Sequence, residues 1–206
     1  MSKIAESTVR RLSLYLRFLE AFEAQGIATV SSEALARRGS TTSAQVRKDL
    51  SFFGSFGKRG LGYSVPELAA KLRDILGLER SYDIAVIGAG KIGSALAQYS
   101  GFSERGFHVR LVYDQDPDRV GTSWNGLTVE HIRHLERDLA RTPIDIAILA
   151  TPADAAQPLA DRLTRAGVRA ILNFAPVQLT VPDEVVVKSV NMALELEALS
   201  YALRNG

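Results

Sequence analysis

The middle of the chain contains the run Ile84-Ala85-Val86-Ile87-Gly88-Ala89-Gly90-Lys91-Ile92-Gly93. An apolar strand followed by G-x-G-x-x-G and a helix is the fingerprint of a dinucleotide-binding fold. Gly88 permits the tight turn, Gly90 lets the backbone approach a pyrophosphate, and Gly93 lets the helix pack close to the sheet. The free N–H groups at the helix start favour phosphate. We therefore expect residues 88–93 to bind a dinucleotide; the alternative is a glycine turn that only packs a helix on a strand.

An acidic residue follows this turn at the spacing that a dinucleotide site requires. Asp114 ends the apolar run 109–113 and lies 21 residues after Gly93. A carboxylate there accepts hydrogen bonds from the adenine ribose hydroxyls and repels a 2′-phosphate. No Arg follows immediately, so the sequence favours NAD(H) over NADP(H).

Strands and helices alternate from residue 83 onwards. Candidate strands cover 83–88, 107–113, 145–150, 168–174 and 184–190; candidate helices cover 91–100, 153–166 and 192–204, and a further one covers 130–141. Continuous apolar strands such as 144–149 suit a parallel sheet that is buried on both faces. The pattern predicts a Rossmann-like, doubly wound parallel sheet domain over 78–190, with a linker at 77–82 leading into its first strand, and a C-terminal helix over 191–206.

The first part of the chain has a different pattern. Its apolar residues recur at spacings of three and four, as in one face of a helix: Leu12, Tyr15, Leu16, Leu19 and Phe22. Gly26 is expected to end that helix, and Ser31 or Ser32 to cap a short second helix that ends near Gly39. Thr42 and Gln45 form a capping box for a third helix. Short helix, tight turn and helix indicate a helix-turn-helix.

A glycine-rich segment follows at residues 54–63, where aromatic residues flank a Gly-Lys-Arg-Gly tip. This composition predicts a hairpin, the wing of a winged helix. Ser64 and Glu67 form another capping box and open a helix that ends at Gly77. The chain is therefore predicted to be an α/β protein whose N-terminal winged helix-turn-helix domain covers 1–77.

The N-terminal domain carries the basic residues expected of a DNA-binding surface. Residues 1–80 hold 13 Lys and Arg against 8 Asp and Glu, whereas the whole chain has a net charge of only +2. Candidates for major-groove contacts are Gln45, Arg47, Lys48 and Ser51, and candidates for a minor-groove contact at the wing are Lys58 and Arg59. The alternative is an ordinary solvated basic surface.

Composition excludes several classes of site. The 206 residues include no cysteine, so disulfides and thiolate metal sites are ruled out. His108, His131 and His134 do not form a metal-binding pattern, and no signal peptide or membrane span is evident. We expect a cytoplasmic protein that holds no metal. Tyr99 without a partnering Lys, and the lack of a substrate domain, argue against an enzyme; a small NAD-dependent oxidoreductase and a CoA- or nucleotide-binding enzyme subunit remain alternatives.

Four strings together resemble the Rex family of redox-sensing transcriptional repressors. They are residues 45–54, residues 58–63, the fingerprint 88–93 and the run Asn173-Phe174-Ala175-Pro176. The resemblance extends from about residue 8 to 203. It implies a homodimer that binds inverted-repeat operators upstream of respiratory and fermentative genes. It also implies that NADH releases the protein from double-stranded DNA, whereas NAD+ permits or favours binding.

The resemblance also suggests how the signal arises. It places Tyr99 near the nicotinamide, and we expect Thr151-Pro152 and residues 173–176 to complete the coenzyme site. The terminal helix is expected to be exchanged between protomers. In the family an Asp stands where this chain has Asn191, and it pairs with the residue matching Arg17 or Tyr99. Because Asn191 supplies no charge and the chain ends soon after Leu203, we expect a weaker or differently biased switch.

Overall fold

The computed structural model describes residues 4–54, 56–57 and 61–205. The chain divides into two compact units, Met1–Arg80 and Ser81–Gly206. Each unit has its own buried apolar residues.

The first unit contains four helices and a small sheet within its described residues. Its elements are α1 (Glu6–Ala24), β1 (Thr29–Val30), α2 (Ser32–Arg38), α3 (Ser43–Ser51), β2 (Tyr63–Ser64) and α4 (Val65–Ile75). β1 pairs with β2 in antiparallel orientation, with Val30 opposite Tyr63. The sequence did not predict β1, because a two-residue strand is too short to show a period. The tip of the predicted wing, residues 58–60, lies outside the described residues.

The predicted helical periodicity produces the core of this unit. The apolar face of α1 is buried against side chains of α2, α3 and α4, namely Leu35, Val46, Leu50, Leu68 and Leu72. Burying one such side chain stabilises the fold by about 1.5–3 kcal/mol. The unit is therefore held together by the same positions that predict its helices.

The helix starts agree only in part with the predicted caps. Ser31, and not Ser32, accepts a hydrogen bond from the backbone N–H of Ala34. The Thr42 hydroxyl accepts the N–H of Gln45, but the Gln45 side chain does not reach back to complete the box, because it donates to Asp49. Ser64 makes no side-chain cap at α4, where a proline in the first turn already removes one unsatisfied N–H.

The second unit is a twisted sheet with helices. Its strands are β3 (Tyr82–Ile87), β4 (Phe107–Asp114), β5 (Ser123–Trp124), β6 (Leu127–His131), β7 (Ile146–Leu149), β8 (Ala170–Asn173) and β9 (Val186–Ser189). Its helices are α5 (Lys91–Ala97), α6 (Ser100–Ser103), α7 (Leu135–Arg141), α8 (Ala153–Arg165) and α9 (Met192–Asn205), with a 3-10 turn at Ile132–His134.

The strand order β5-β6-β4-β3-β7-β8-β9 places β3 at the centre of the sheet. β3 pairs in parallel with β4 on one side and with β7 on the other. All the other pairings are parallel too, except that of β5 with β6. The chain thus changes direction across the sheet at β3, and ligands of such sheets bind outside the carboxyl ends of the strands at this switch point.

Three details differ from the predicted elements. The helix predicted over 91–100 is broken, because Tyr99 has an extended backbone and begins the separate helix α6. The β5–β6 hairpin was not predicted, although its turn, Asn125-Gly126 with positive φ at both residues, is a strong hairpin signal. As a consequence, the helix predicted from residue 130 begins only at Leu135, and His131 lies on a strand.

Helix α9 is apolar but has no buried residue. Its exposed side chains include Met192, Leu194, Leu196, Leu199, Tyr201 and Leu203. Asn191 precedes the helix, and its side-chain oxygen accepts the N–H of Ala193. Among the helices of the described residues, none has the length and apolar character of a membrane span.

Candidate functional site: a nucleotide cavity and a clamped helix

The glycine turn lies at the carboxyl end of β3, where its geometry requires glycine. Gly88 has a φ of 98°, which other residues rarely adopt, and a Cβ there would overlap the backbone oxygen of Ala150. A Cβ on Gly93 would overlap the carbonyl oxygen of Gly88. A Cβ on Gly90 would meet only a guanidinium nitrogen of Arg119, at 3.6 Å. The backbone is therefore open at Gly90, where a pyrophosphate would approach, and closed at the other two glycines.

Asp114 ends β4 beside this turn and is 8% exposed. Its carboxylate accepts the backbone N–H of Ala89 at 2.6 Å and that of Asp116 at 2.9 Å. Burial alone would raise the pKa of Asp114, but these donors together with Arg119 lower it below its usual value. The side chain is therefore ionised and ready to accept hydroxyl donors.

Arg119 approaches the same carboxylate, which the sequence did not predict. The turn at residues 116–120 brings its Nη1 to 3.2 Å from Asp114 Oδ2, and its Nε to 3.4 Å from Asp116 Oδ2. No arginine immediately follows Asp114 in the sequence, but the turn brings Arg119, five residues on, beside its carboxylate.

A cavity of about 550 Å³ opens in front of the glycine turn. Of the residues predicted to bind the coenzyme, it is lined by Gly88, Gly90, Asp114, Thr151 and Pro152. The sequence had not indicated the rest of the wall, which includes Ile132, Pro158, Leu159 and Arg162. A largely apolar pocket with a few convergent polar groups suits a nucleoside.

Thr151 and Arg162 are two polar side chains in the wall of this cavity. The buried Oγ1 of Thr151 has no hydrogen-bond partner among the described residues. Arg162 is held by Glu136 through contacts of 2.6 and 2.8 Å, and it also donates to the carbonyl of Ile132. The hydrogen bond from Arg162 lowers the pKa of Glu136 to about 2. The pair therefore stays charged and fixes one wall.

The loop at residues 173–176 begins at the carboxyl end of β8. Asn173 is fully buried, and its amide donates to the carbonyl of Val177 while its oxygen accepts the N–H of Ala175. These bonds fix the loop shape. Ala175 is buried, Phe174 packs on the sheet and Pro176 is exposed, but none of the four lines the cavity.

Tyr99 lies outside this cavity and is 60% exposed. Its ring packs against Gly101 and edge-on against Phe102, with ring centroids 5.2 Å apart. It borders a separate hollow of about 320 Å³ together with His108.

Several other predicted site and switch residues lie at the surface. Lys91 and Ile92 are exposed at the start of α5, Arg17 is exposed on α1, and Asn191 is exposed before α9.

In the first unit, α3 exposes part of the predicted DNA-binding set. Lys48 is exposed, and Ser51 donates its hydroxyl hydrogen to the carbonyl of Lys48. Arg47 is exposed but donates to Ser32 Oγ at 2.9 Å and lies 3.6 Å from Glu33. Lys58 and Arg59 lie outside the described residues.

A hydrogen-bonded cluster that the sequence did not reveal surrounds a buried carboxylate on this helix. Asp49 is fully buried and accepts hydrogen bonds from Arg11, Tyr15 and Gln45. Burial would raise the pKa of Asp49, but these donors lower it. Burial, reinforced by Asp49, raises the pKa of Tyr15 to about 12. The sequence signal that could have revealed this cluster is an acidic residue, Asp49, within the apolar repeat of α3.

No group of three or more His, Cys, Asp or Glu side chains that could hold a metal ion exists among the described residues.

Two known sequence families match parts of the chain. The family described as putative DNA-binding protein N-terminus matches residues 3–51. The family described as CoA binding domain matches residues 79–177. The order of the two matches agrees with the order of the two units.

Curated relatives match nearly the whole chain. The redox-sensing transcriptional repressor Rex of Carboxydothermus hydrogenoformans is 48% identical over 202 residues, which cover 98% of this chain and 97% of the relative. Rex of Thermus aquaticus is 48% identical over 205 residues, which cover 98% of this chain and 95% of the relative.

Solved structures of a Rex-family repressor called RSP are similar over the entire chain. Its complex with β-NAD+ and operator DNA has a TM-score of 0.94 at 39% identity, covering 100% of this chain and 94% of that chain. Its complex with β-NADH has a TM-score of 0.90 at 38% identity, covering 100% of this chain and 96% of that chain.

Proposed function

Because the chain belongs to the Rex family of redox-sensing transcriptional repressors, we propose that it represses transcription when bound to operator DNA and that NADH releases it. The observation that carries this proposal is the buried, ionised Asp114 beside the glycine turn, in a chain whose other unit is a helix-turn-helix. A ribose-binding acid and a basic helix in one protein suit a regulator that binds a dinucleotide and DNA.

The proposed coenzyme site has two parts, one that supplies affinity and one that distinguishes NAD+ from NADH. The adenosine and pyrophosphate groups are the same in NAD+ and NADH, so their contacts with Asp114 and with the glycine turn supply affinity without a signal. A ligand shifts an equilibrium only through its differential affinity for two states. The difference lies at the nicotinamide, which is cationic in NAD+ and neutral in NADH. Tyr99, Thr151-Pro152 and the 173–176 loop are the residues proposed to sense it.

The DNA-binding surface is assigned to α3 and to the wing. Lys48 is exposed as a phosphate contact needs to be, whereas Arg47 and Gln45 are oriented by partners within the unit. Phosphate contacts position a protein and base contacts supply specificity. Lys58 and Arg59 are proposed to enter the minor groove.

Dimerisation is assigned to α9. A helix with six large exposed apolar or aromatic side chains and no buried residue requires a partner surface. A second copy of the chain supplies a two-fold partner, and a two-fold dimer matches an inverted-repeat operator. A cytoplasmic location and the absence of catalysis complete the proposal, and the relatives that are named as repressors support the second point.

Fluorescence anisotropy of a labelled inverted-repeat duplex tests the function. The duplex carries the operator of one of the Rex relatives named above, and the protein is titrated at fixed salt with NADH, NAD+ or coenzyme A. Salt is held constant because it alone shifts DNA affinity steeply. We expect release by NADH and none by coenzyme A. Specific binding of the duplex that NADH does not weaken would contradict the sensing role. Turnover of a substrate without specific DNA binding would favour an oxidoreductase.

A further inference from the structure

The guanidinium of Arg119 lies at the mouth of the nucleotide cavity. Its Nη1 is 3.2 Å from Asp114 Oδ2, and its Nε is 3.4 Å from Asp116 Oδ2. The same Nη1 is the nearest atom to the open side of Gly90. A 45% exposed arginine side chain therefore stands between the ribose acid and the place where phosphates would approach.

The hydrogen bonds of Asp114 limit what its carboxylate can still accept. An ionised carboxylate offers about four acceptor positions. The N–H groups of Ala89 and Asp116 and the guanidinium of Arg119 fill three of them. A ribose diol brings two O–H donors, which is one more than the Asp114 carboxylate can still accept. The backbone donors are fixed by the fold, so Arg119 is the partner that can leave.

We propose that Arg119 is an exchangeable partner of Asp114 and forms a subsite for a phosphate on the adenosine ribose. The ribose of NADH displaces the guanidinium from Asp114, whereas a 2′-phosphate, as in NADPH, becomes its new partner. Arg119 therefore shares with Asp114 the control of the choice between NADH and NADPH. This inference rests on the proposed coenzyme binding of the second unit.

The charges around the cavity determine the direction of the effect. Its charged lining residues are Asp114, Asp116, Arg119 and Arg162. Arg162 is neutralised by Glu136, so Arg119 is the cation that offsets the two aspartates. One negative charge remains, and the site prefers NADH. Without Arg119 the site would carry two, and NADPH would be rejected more strongly.

The test measures the dissociation constants of NADH and NADPH from the full-length protein through the fluorescence of their common nicotinamide ring. In R119A the ratio of the NADPH constant to the NADH constant should rise about five- to tenfold, the scale of a charge-assisted contact at a partly exposed site. The matched control is R110A, since Arg110 pairs with Asp83 at 2.8 Å, is similarly exposed and does not line this cavity. An unchanged ratio in R119A, or an equal rise in R110A, would overturn the inference.

A second pair of variants tests the subsite from the other side. In Asp114→Ser, the repulsion of a 2′-phosphate is removed and Arg119 is released from that carboxylate, so NADPH should bind more tightly than it binds the wild type. In Asp114→Ser combined with Arg119→Ala, the part of this gain that depends on Arg119 should be lost, so NADPH should bind less tightly than it binds Asp114→Ser. An equal gain in the single and the double variant contradicts the inference. If the folded wild type binds neither coenzyme, the proposed function itself fails, so the two failures are distinguishable.

Discussion

Arg11 donates two hydrogen bonds to the buried carboxylate of Asp49, from Nε at 2.6 Å and from Nη2 at 2.7 Å. Arg11 lies on α1 and Asp49 lies on α3, so the pair joins the first helix to the helix proposed to contact DNA. Tyr15 and Gln45 fill the remaining acceptor positions of the carboxylate. A buried charge is tolerated when it is paired and hydrogen-bonded in this way.

Replacing Asp49 by Asn should destabilise the first unit. The substitution removes the charge that compensates Arg11 and leaves donors facing donors. Breaking a buried ion pair costs about 3–5 kcal/mol, and the partial exposure of Arg11 places the expected loss in the free energy of unfolding near the lower end of that range. Urea unfolding measures it. The control is Asp74→Asn, whose pair with Lys71 is half exposed and should contribute little. Equal losses in both variants would contradict a special role for Asp49.

The same carboxylate should make stability depend on pH. The pKa of Asp49 is lower in the folded protein than its ordinary value of 3.8. Its contribution to stability is therefore complete above pH 3.8 and is lost as the pH falls through the folded-state pKa. Urea unfolding of the wild type and of Asp49→Asn over a pH series checks this. The difference between the two curves should shrink below pH 3.8, and a constant difference would argue against it.

Gln45 and Lys48 should affect DNA binding differently. Because a carboxylate can only accept, the amide of Gln45 turns its NH₂ towards Asp49 and leaves its oxygen to face a base amine. Gln45→Ala should therefore lower operator affinity about fivefold while sparing non-specific DNA, the scale of one hydrogen bond. Lys48→Ala should weaken all duplexes and reduce the salt slope by about one. Anisotropy at several salt concentrations separates the two; identical salt slopes in both variants would refute the assignment.

Tyr99→Phe should reduce the ratio of NADH affinity to NAD+ affinity. The adenosine and phosphate contacts are common to both coenzymes, so this ratio depends on the residues proposed to sense the nicotinamide, and Tyr99 is one of them. A tenfold difference corresponds to about 1.4 kcal/mol of coupling. Gly101→Ala provides a second probe, since a Cβ there would lie 2.6 Å from the Tyr99 ring atoms and displace the ring. Tyr82→Phe, at the start of β3, is the control. Titration calorimetry gives both affinities; an unchanged ratio in Tyr99→Phe and Gly101→Ala counts against the sensing role.

The sequence predicted the class of fold because its periodic signals are long. The apolar repeat of α1 and the strand, glycine turn and helix at 82–97 each extend over many residues and survive in the structure. Short features were missed or misplaced. The β5–β6 hairpin depends on a two-residue turn, and the break at Tyr99 depends on one extended backbone position.

The site was predictable only where local sequence determines it. Gly88, Gly93 and Asp114 follow from the spacing of one motif, and their positions agree with that motif. Arg119, Arg162 and the cluster around Asp49 depend on residues brought together by folding. Arg11 and Asp49 are 38 positions apart, and no local pattern announces such a pair.

The unburied apolar face of α9 also bears on the amount of protein in the cell. If the folded dimer is the form that covers this face, its stability rises with protein concentration, because mass action favours association. A newly made chain, before it meets a second copy, would expose six large side chains and be vulnerable to aggregation and proteolysis. Repression would then require a minimum copy number of the repressor itself, whichever coenzyme is bound.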